Sequence, residues 1–135
     1  MILIVYTDGA SRGNPGPASY GFTISDNEGK LLYEEGQYIG TATNNVAEYT
    51  AVLKALAKIS TEFKQENLEI KFFADSKLVA EQLSGRYKIK SEHLRLLINQ
   101  IKELEGSFSS VLYTHVPRAK NIEADRLANK ALDAR

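Results

Sequence analysis

The hydrophobic pattern changes period once along the chain. Apolar and polar positions first follow the two-residue alternation of strands, then the spacing of helices separated by further strands. Ile2 to Thr7 reads as a buried strand. After a loop crowded with glycine and proline, Tyr20 to Ser25 and Leu31 to Ile39 read as two more strands, joined through the turn "DNEG". These three predict an antiparallel meander. From Asn45 the apolar positions recur at helical spacing: Glu48, Val52, Leu56 and Ile59 share a stripe, with Tyr49 and Leu53 alongside, giving a helix to about Ser60. "LEIKFFAD" alternates as a fourth strand, "SKLVAEQL" predicts a short helix, and "SEHLRLLINQIKELEG" a longer one ending at Gly106. "VLYTHV" is a fifth strand and "NIEADRLANKALDAR" a closing helix. Three strands followed by alternating helices and strands predict an α/β fold, a mixed sheet with helices packed on it, in one domain over residues 1–135. No internal repeat, low-complexity tract or linker interrupts it.

Composition narrows the function classes. At 135 residues the chain fits one domain burying roughly two-thirds of its unfolded surface. Lys plus Arg balance Asp plus Glu at 17 each, so no global charge excess marks a nucleic-acid coat or a membrane-surface protein, and any polyanion site must be local. The absence of Cys removes disulfides and thiolate metal sites and suits a reducing cytoplasm. "MILIVY" lacks a basic n-region and is too short to span a bilayer, so the expectation is a soluble cytoplasmic protein without a membrane segment.

The acidic residues each have a plain structural reading. In "YTDGASRGNPGPASYG", Tyr6 to Gly21, Asp8 and Gly9 form a dipeptide suited to a turn between strands. Glu48 lies on the stripe facing the sheet, where an unpaired carboxylate costs several kcal/mol, although "NVAE" also resembles a capping box with Asn45 at the cap. Asp75 sits between a strand and a helix, at the carboxyl edge where open α/β sheets bind ligands, and would equally serve as an N-cap. Asp125 falls in the first turns of the last helix, where a carboxylate favours the dipole. His115 near the end of the fifth strand reads alone as structural.

Together the carboxylates read differently. Placed at two strand ends and two helix starts, they can converge on one edge of the sheet, where their repulsion demands cations. Hard oxygen ligands without Cys select Mg²⁺ or Mn²⁺ over Zn²⁺.

Four stretches, "YTDGASRGNPGPASYG", "TATNNVAEYTAVLKAL", "FADSKLVAEQL" and "THVPRAKNIEADRLANKAL", cover nearly the whole chain in one order, and in that order the chain resembles the type 1 ribonuclease H family. The resemblance implies a ribonuclease H-like fold, a five-stranded mixed sheet with helices on both faces. It also implies endonucleolytic hydrolysis of the RNA strand of an RNA/DNA hybrid by a monomer, leaving 5′-phosphate and 3′-hydroxyl ends. The family's metal-binding carboxylates fall on Asp8, Glu48, Asp75 and Asp125, and its catalytic-loop histidine on His115. Its RNA-strand contacts fall on Asn14, Asn44 and Asn45, and a DNA-phosphate contact on Thr43. Two divalent ions about 4 Å apart can activate a water and stabilise the leaving 3′-oxygen, and Asp8 is expected between them. Asn14 and Asn45 can hydrogen-bond 2′-hydroxyls across a shallow minor groove. His115 is expected to shuttle a proton or ease product release.

The chain departs from longer bacterial members in lacking their basic protrusion after the third helix. "SGRYKIKSEHLRLL" runs directly into the long helix, leaving Arg86, Lys88, Lys90 and Arg95 as a modest basic cluster that either contacts phosphates or is a solvated helix entry. Lys88 and Lys90 are the substrate-binding candidates in it. Two rival readings are a hybrid-binding protein without turnover and another nuclease of the same fold, such as a junction resolvase. The four carboxylates speak against the first, and "GNPG" and "TNN" against the second.

Overall fold

The computed structural model describes residues 1–64, 66–85 and 91–135. Along the chain run β1 (Ile2–Ser11), β2 (Gly16–Asp26), β3 (Leu31–Ala42), α1 (Asn44–Glu62), β4 (Glu69–Ala74), α2 (Lys77–Leu83), α3 (Glu92–Glu105), β5 (Ser110–His115), a single 3₁₀ turn (Arg118–Lys120) and α4 (Ile122–Asp133). The strands form one sheet in the order β3-β2-β1-β4-β5, antiparallel from β1 through β3 and parallel from β1 through β5. This is the expected five-stranded mixed sheet. Among the described residues no helix is long and apolar enough to cross a membrane.

The first two strands reach further than side-chain alternation predicts. Asp8, Gly9, Ala10 and Ser11 pair with Gly21, Tyr20, Ser19 and Ala18, so the glycine-rich segment is mostly ladder. Pairing uses backbone groups, which small residues leave unobstructed. The connection shrinks to residues 12–15, closed by the Arg12 N–H donating to the Pro17 carbonyl at 2.9 Å. The residues singled out at Asp8 and Gly9 are therefore strand, not turn.

Two glycines set the distance of the helices from the sheet. A Cβ on Gly9 would stand 2.3 Å from the Ala47 carbonyl carbon and the Glu48 nitrogen. One on Gly21 would stand 2.5 Å from the Ala124 carbonyl oxygen. Asp8, not Gly9, is the cross-strand partner of Gly21, and successive strand residues point to opposite faces. α1 therefore lies directly on one face and α4 on the other. The α1 side holds the main core: Leu3, Val5, Phe22, Tyr49, Leu56, Ile59 and Phe72 are fully or almost fully buried, each contributing about 1.5–3 kcal/mol of transfer free energy.

The helix caps close one alternative. Thr43, not Asn45, caps α1, its hydroxyl accepting from the Val46 N–H at 3.2 Å. Ser76 caps α2 through Val79 and Ser91 caps α3 through Leu94, both at 3.3 Å. Asn121 precedes α4 without capping it, because its side-chain amide donates to the Thr7 carbonyl at 2.8 Å.

Candidate active site

β1 and β4 run parallel and in register, Thr7 beside Ala74, so the residues that follow, Asp8 and Asp75, emerge side by side at the carboxyl edge. Because Gly9 lets the second turn of α1 close onto β1, Glu48 reaches the same point from the α1 face. Carboxylate oxygens of Asp8, Glu48 and Asp75 lie within 4.8 Å of one another. From the opposite face Asp125, on the first turn of α4, comes within side-chain hydrogen-bonding reach of Asp8. All four line a cleft of about 480 Å³.

The residues around them account for every role except that of a charged cluster. Ser76 takes the cap that Asp75 was positioned to make, leaving the carboxylate of Asp75 free of that duty. Glu48 accepts the backbone N–H of Gly9, whereas its Oε2 is buried with no hydrogen-bond partner. Asp125 Oδ1 accepts from Asn129 Nδ2 at 3.2 Å and stands 3.7 Å from Arg118 Nη2. Burial, and then the charges of Glu48 and Asp75, push the Asp8 carboxyl far above the ordinary carboxylate range. Burial, and then Asp75, push the Glu48 carboxyl up as well. Such a cluster holds protons near neutrality unless a cation replaces them. A buried carboxyl oxygen without a partner, in a set of hard oxygen donors, fits a divalent ion such as Mg²⁺ or Mn²⁺.

Of the remaining candidates, Asn44 lines the cleft. His115 ends β5 paired with Ala74, one position from Asp75, and is exposed. Asn14 is exposed at the tip of the β1–β2 connection, and its Oδ1 accepts the backbone N–H of Asn44 at 3.1 Å. That bond ties the connection to the start of α1 and places Asn14, Asn44 and Thr43 together. Asn45 is exposed on the first turn of α1. Arg86, Lys88 and Lys90 lie outside the described residues. Two arginines that also line the cleft, Arg12 and Arg118, carry no mark in the sequence. Neither belongs to a periodic face, and a single arginine in a loop carries no sequence signal.

The chain is similar to known proteins over nearly its whole length. A family model described as reverse transcriptase-like matches residues 6–131. The chain is 44% identical over 128 residues to a ribonuclease HI of Halobacterium salinarum, covering 95% of this chain and 63% of that protein. It is 45% identical over 135 residues to the bifunctional protein Rv2228c of Mycobacterium tuberculosis, covering 99% of this chain and 36% of the relative. The chain thus spans about a third of the mycobacterial relative's length. Among solved structures, RNase H1 of H. salinarum superposes with a TM-score of 0.93 at 42% identity, each chain fully covered. LC11-RNase H1 in complex with an RNA/DNA hybrid gives 0.93 at 40% identity, over 98% of this chain and 97% of that one. With its five-stranded fold and nearly its whole length matched in this way, the chain belongs to the type 1 ribonuclease H family.

Proposed function

We propose that the protein is an endoribonuclease that hydrolyses the RNA strand of RNA/DNA hybrids, with divalent cations held by Asp8, Glu48, Asp75 and Asp125. The observation that carries this reading is the convergence of Asp8, Glu48 and Asp75 oxygens within 4.8 Å, together with a buried Glu48 Oε2 that has no hydrogen-bond partner. Bound Mg²⁺ or Mn²⁺ would supply Lewis-acid activation of water and stabilisation of charge on the phosphate oxygens. The chain's own residues do the rest. β1 and β4 hold Asp8 and Asp75 in register, and the Gly9 N–H holds the Glu48 carboxylate beside them. Asn14, with Oδ1 engaged by Asn44, keeps its Nδ2 to donate to a 2′-hydroxyl, the group that separates RNA from DNA. Asn45 serves the same edge, and Thr43 is placed to meet a phosphate of the DNA strand. His115, exposed at the end of β5, can move a proton toward the leaving 3′-oxygen or ease product departure. The Cys-free composition fits action in a reducing cytoplasm, and we take the protein to act there as a monomer.

The test incubates the protein and Mg²⁺ with an end-labelled RNA/DNA hybrid beside matched RNA/RNA and DNA/DNA duplexes. Internal cleavage of the hybrid's RNA strand, leaving 5′-phosphate and 3′-hydroxyl ends, is expected. Binding without cleavage, or cleavage of branched DNA in preference to hybrid, would overturn the reading.

A further inference from the structure

Arg12 sits at the start of the β1–β2 connection, with its backbone clamped on both sides. Its N–H donates to the Pro17 carbonyl at 2.9 Å, and Gly16 packs so tightly on the Arg12 carbonyl that a Cβ there would stand 2.4 Å from the oxygen. The side chain is 43% exposed, lines the carboxylate cleft, and pairs through Nη2 with Oδ1 of Asp133 in the last turn of α4. Asp133 is itself 68% exposed, so the pair is held by water-screened attraction of roughly 0–1 kcal/mol. A guanidinium on a fixed backbone, at the mouth of an acidic cleft and held by so weak a partner, suits exchange of that partner for a phosphodiester. A phosphodiester offers two oxygens to the planar fork of an arginine. Asn14, two residues further along the same connection, is tied to Asn44, which lines the same cleft as Arg12.

We propose that Arg12 is a substrate-positioning residue that binds a backbone phosphate of the nucleic acid next to the cleaved bond, and that Asp133 holds it in reserve in the free protein. This rests on the hybrid-cleaving reading of the site. The inference gives the two partners opposite roles, which separates it from a purely structural tie between the connection and α4. Loss of a tie would make Arg12→Ala and Asp133→Ala behave alike. Exchange of partners makes Arg12→Ala weaken substrate binding and Asp133→Ala strengthen it.

The experiment measures hybrid affinity with Ca²⁺ in place of Mg²⁺ over a salt series, for the wild type, Arg12→Ala, Arg12→Lys, Asp133→Ala and the double variant, with thermal melting as a check on folding. Arg12→Ala is expected to weaken binding on the order of tenfold and to lower the magnitude of the log–log salt slope by about 0.9, one phosphate contact. Arg12→Lys should recover the slope and part of the affinity, since it keeps the charge and loses the fork. Asp133→Ala should tighten binding by about two- to five-fold, the factor a pair of this strength withholds. In the Arg12→Ala background most of that gain should vanish. Equal binding by the wild type and Arg12→Ala, weaker binding by Asp133→Ala, or an undiminished gain in the double variant would each overturn the inference. If the wild type neither binds nor cleaves hybrid, the reading of the active site fails instead, so the two failures are distinguishable.

Discussion

The two halves of β1 carry opposite chemistry. Leu3 and Val5 are fully buried among apolar side chains and leave nothing unsatisfied. Four residues on, Thr7 and Asp8 are buried too, and there the accounts stay open. Among the described residues, the buried side-chain atoms without a hydrogen-bond partner are Thr7 Oγ1, Glu48 Oε2 and Asn121 Oδ1, all at this end of the strand. Each such group costs about 1–3 kcal/mol, more when charged. The first half of β1 therefore stabilises the fold, and the second half holds a strained cluster in place. The strained half is tolerable because Leu3, Val5, Leu56 and Ile59 anchor the same two elements.

The sharpest way to break this comparison is at Asp8. Asp8→Asn removes the charge at the centre of the cluster and is expected to abolish cleavage, while hybrid binding stays within a few-fold. Turnover near the wild-type rate would show that Asp8 is not at the catalytic centre. His115→Ala should slow turnover by about 10²–10⁴-fold without abolishing it, because water partly replaces a proton shuttle. Metal affinity, measured by titration calorimetry, should barely change; a loss as large as that of Asp8→Asn would make His115 a ligand.

The other half of the strand should respond in the opposite currency. Leu3→Ala is expected to cost about 2–5 kcal/mol in urea unfolding, as a fully buried side chain leaves a cavity. Activity per folded molecule should be retained. The smallest effect is the pH dependence of the metal-free protein. Asp8 and Glu48 have folded-state values raised above their ordinary ones, so the native state holds protons that the unfolded chain releases. Their contribution therefore declines as pH rises above about 4 and continues to decline toward alkaline pH. Melting with chelator present should drift downward over that window, and Asp8→Asn should flatten the drift.

The legibility of these features in the sequence follows from their physics. Glu48 could be placed because a carboxylate on an apolar stripe has few explanations, and the buried orphan oxygen shows why. Asp75 could not be settled alone, since a strand–helix junction suits a cap as well as a ligand, and only the capping by Ser76 separates the two. Asn45 offered an alternative cap for α1 because Asn, Ser and Thr share that chemistry; the backbone turn selects Thr43. The extension of β1 to Ser11 left no trace in side-chain alternation, because Gly9 and Ala10 contribute backbone pairing and little else. Arg12 was illegible because its partner, Asp133, is 121 positions away.

Thermal melting of the wild type and Asp8→Asn at neutral pH, each with chelator and with Mg²⁺, tests most directly whether the charged end of β1 is a cation site built at the expense of stability. With chelator the variant should melt above the wild type, because one of several crowded buried carboxyls is gone. Mg²⁺ should raise the melting temperature of the wild type and move the variant little. A variant that melts below the wild type in chelator, and rises equally with Mg²⁺, would contradict the account.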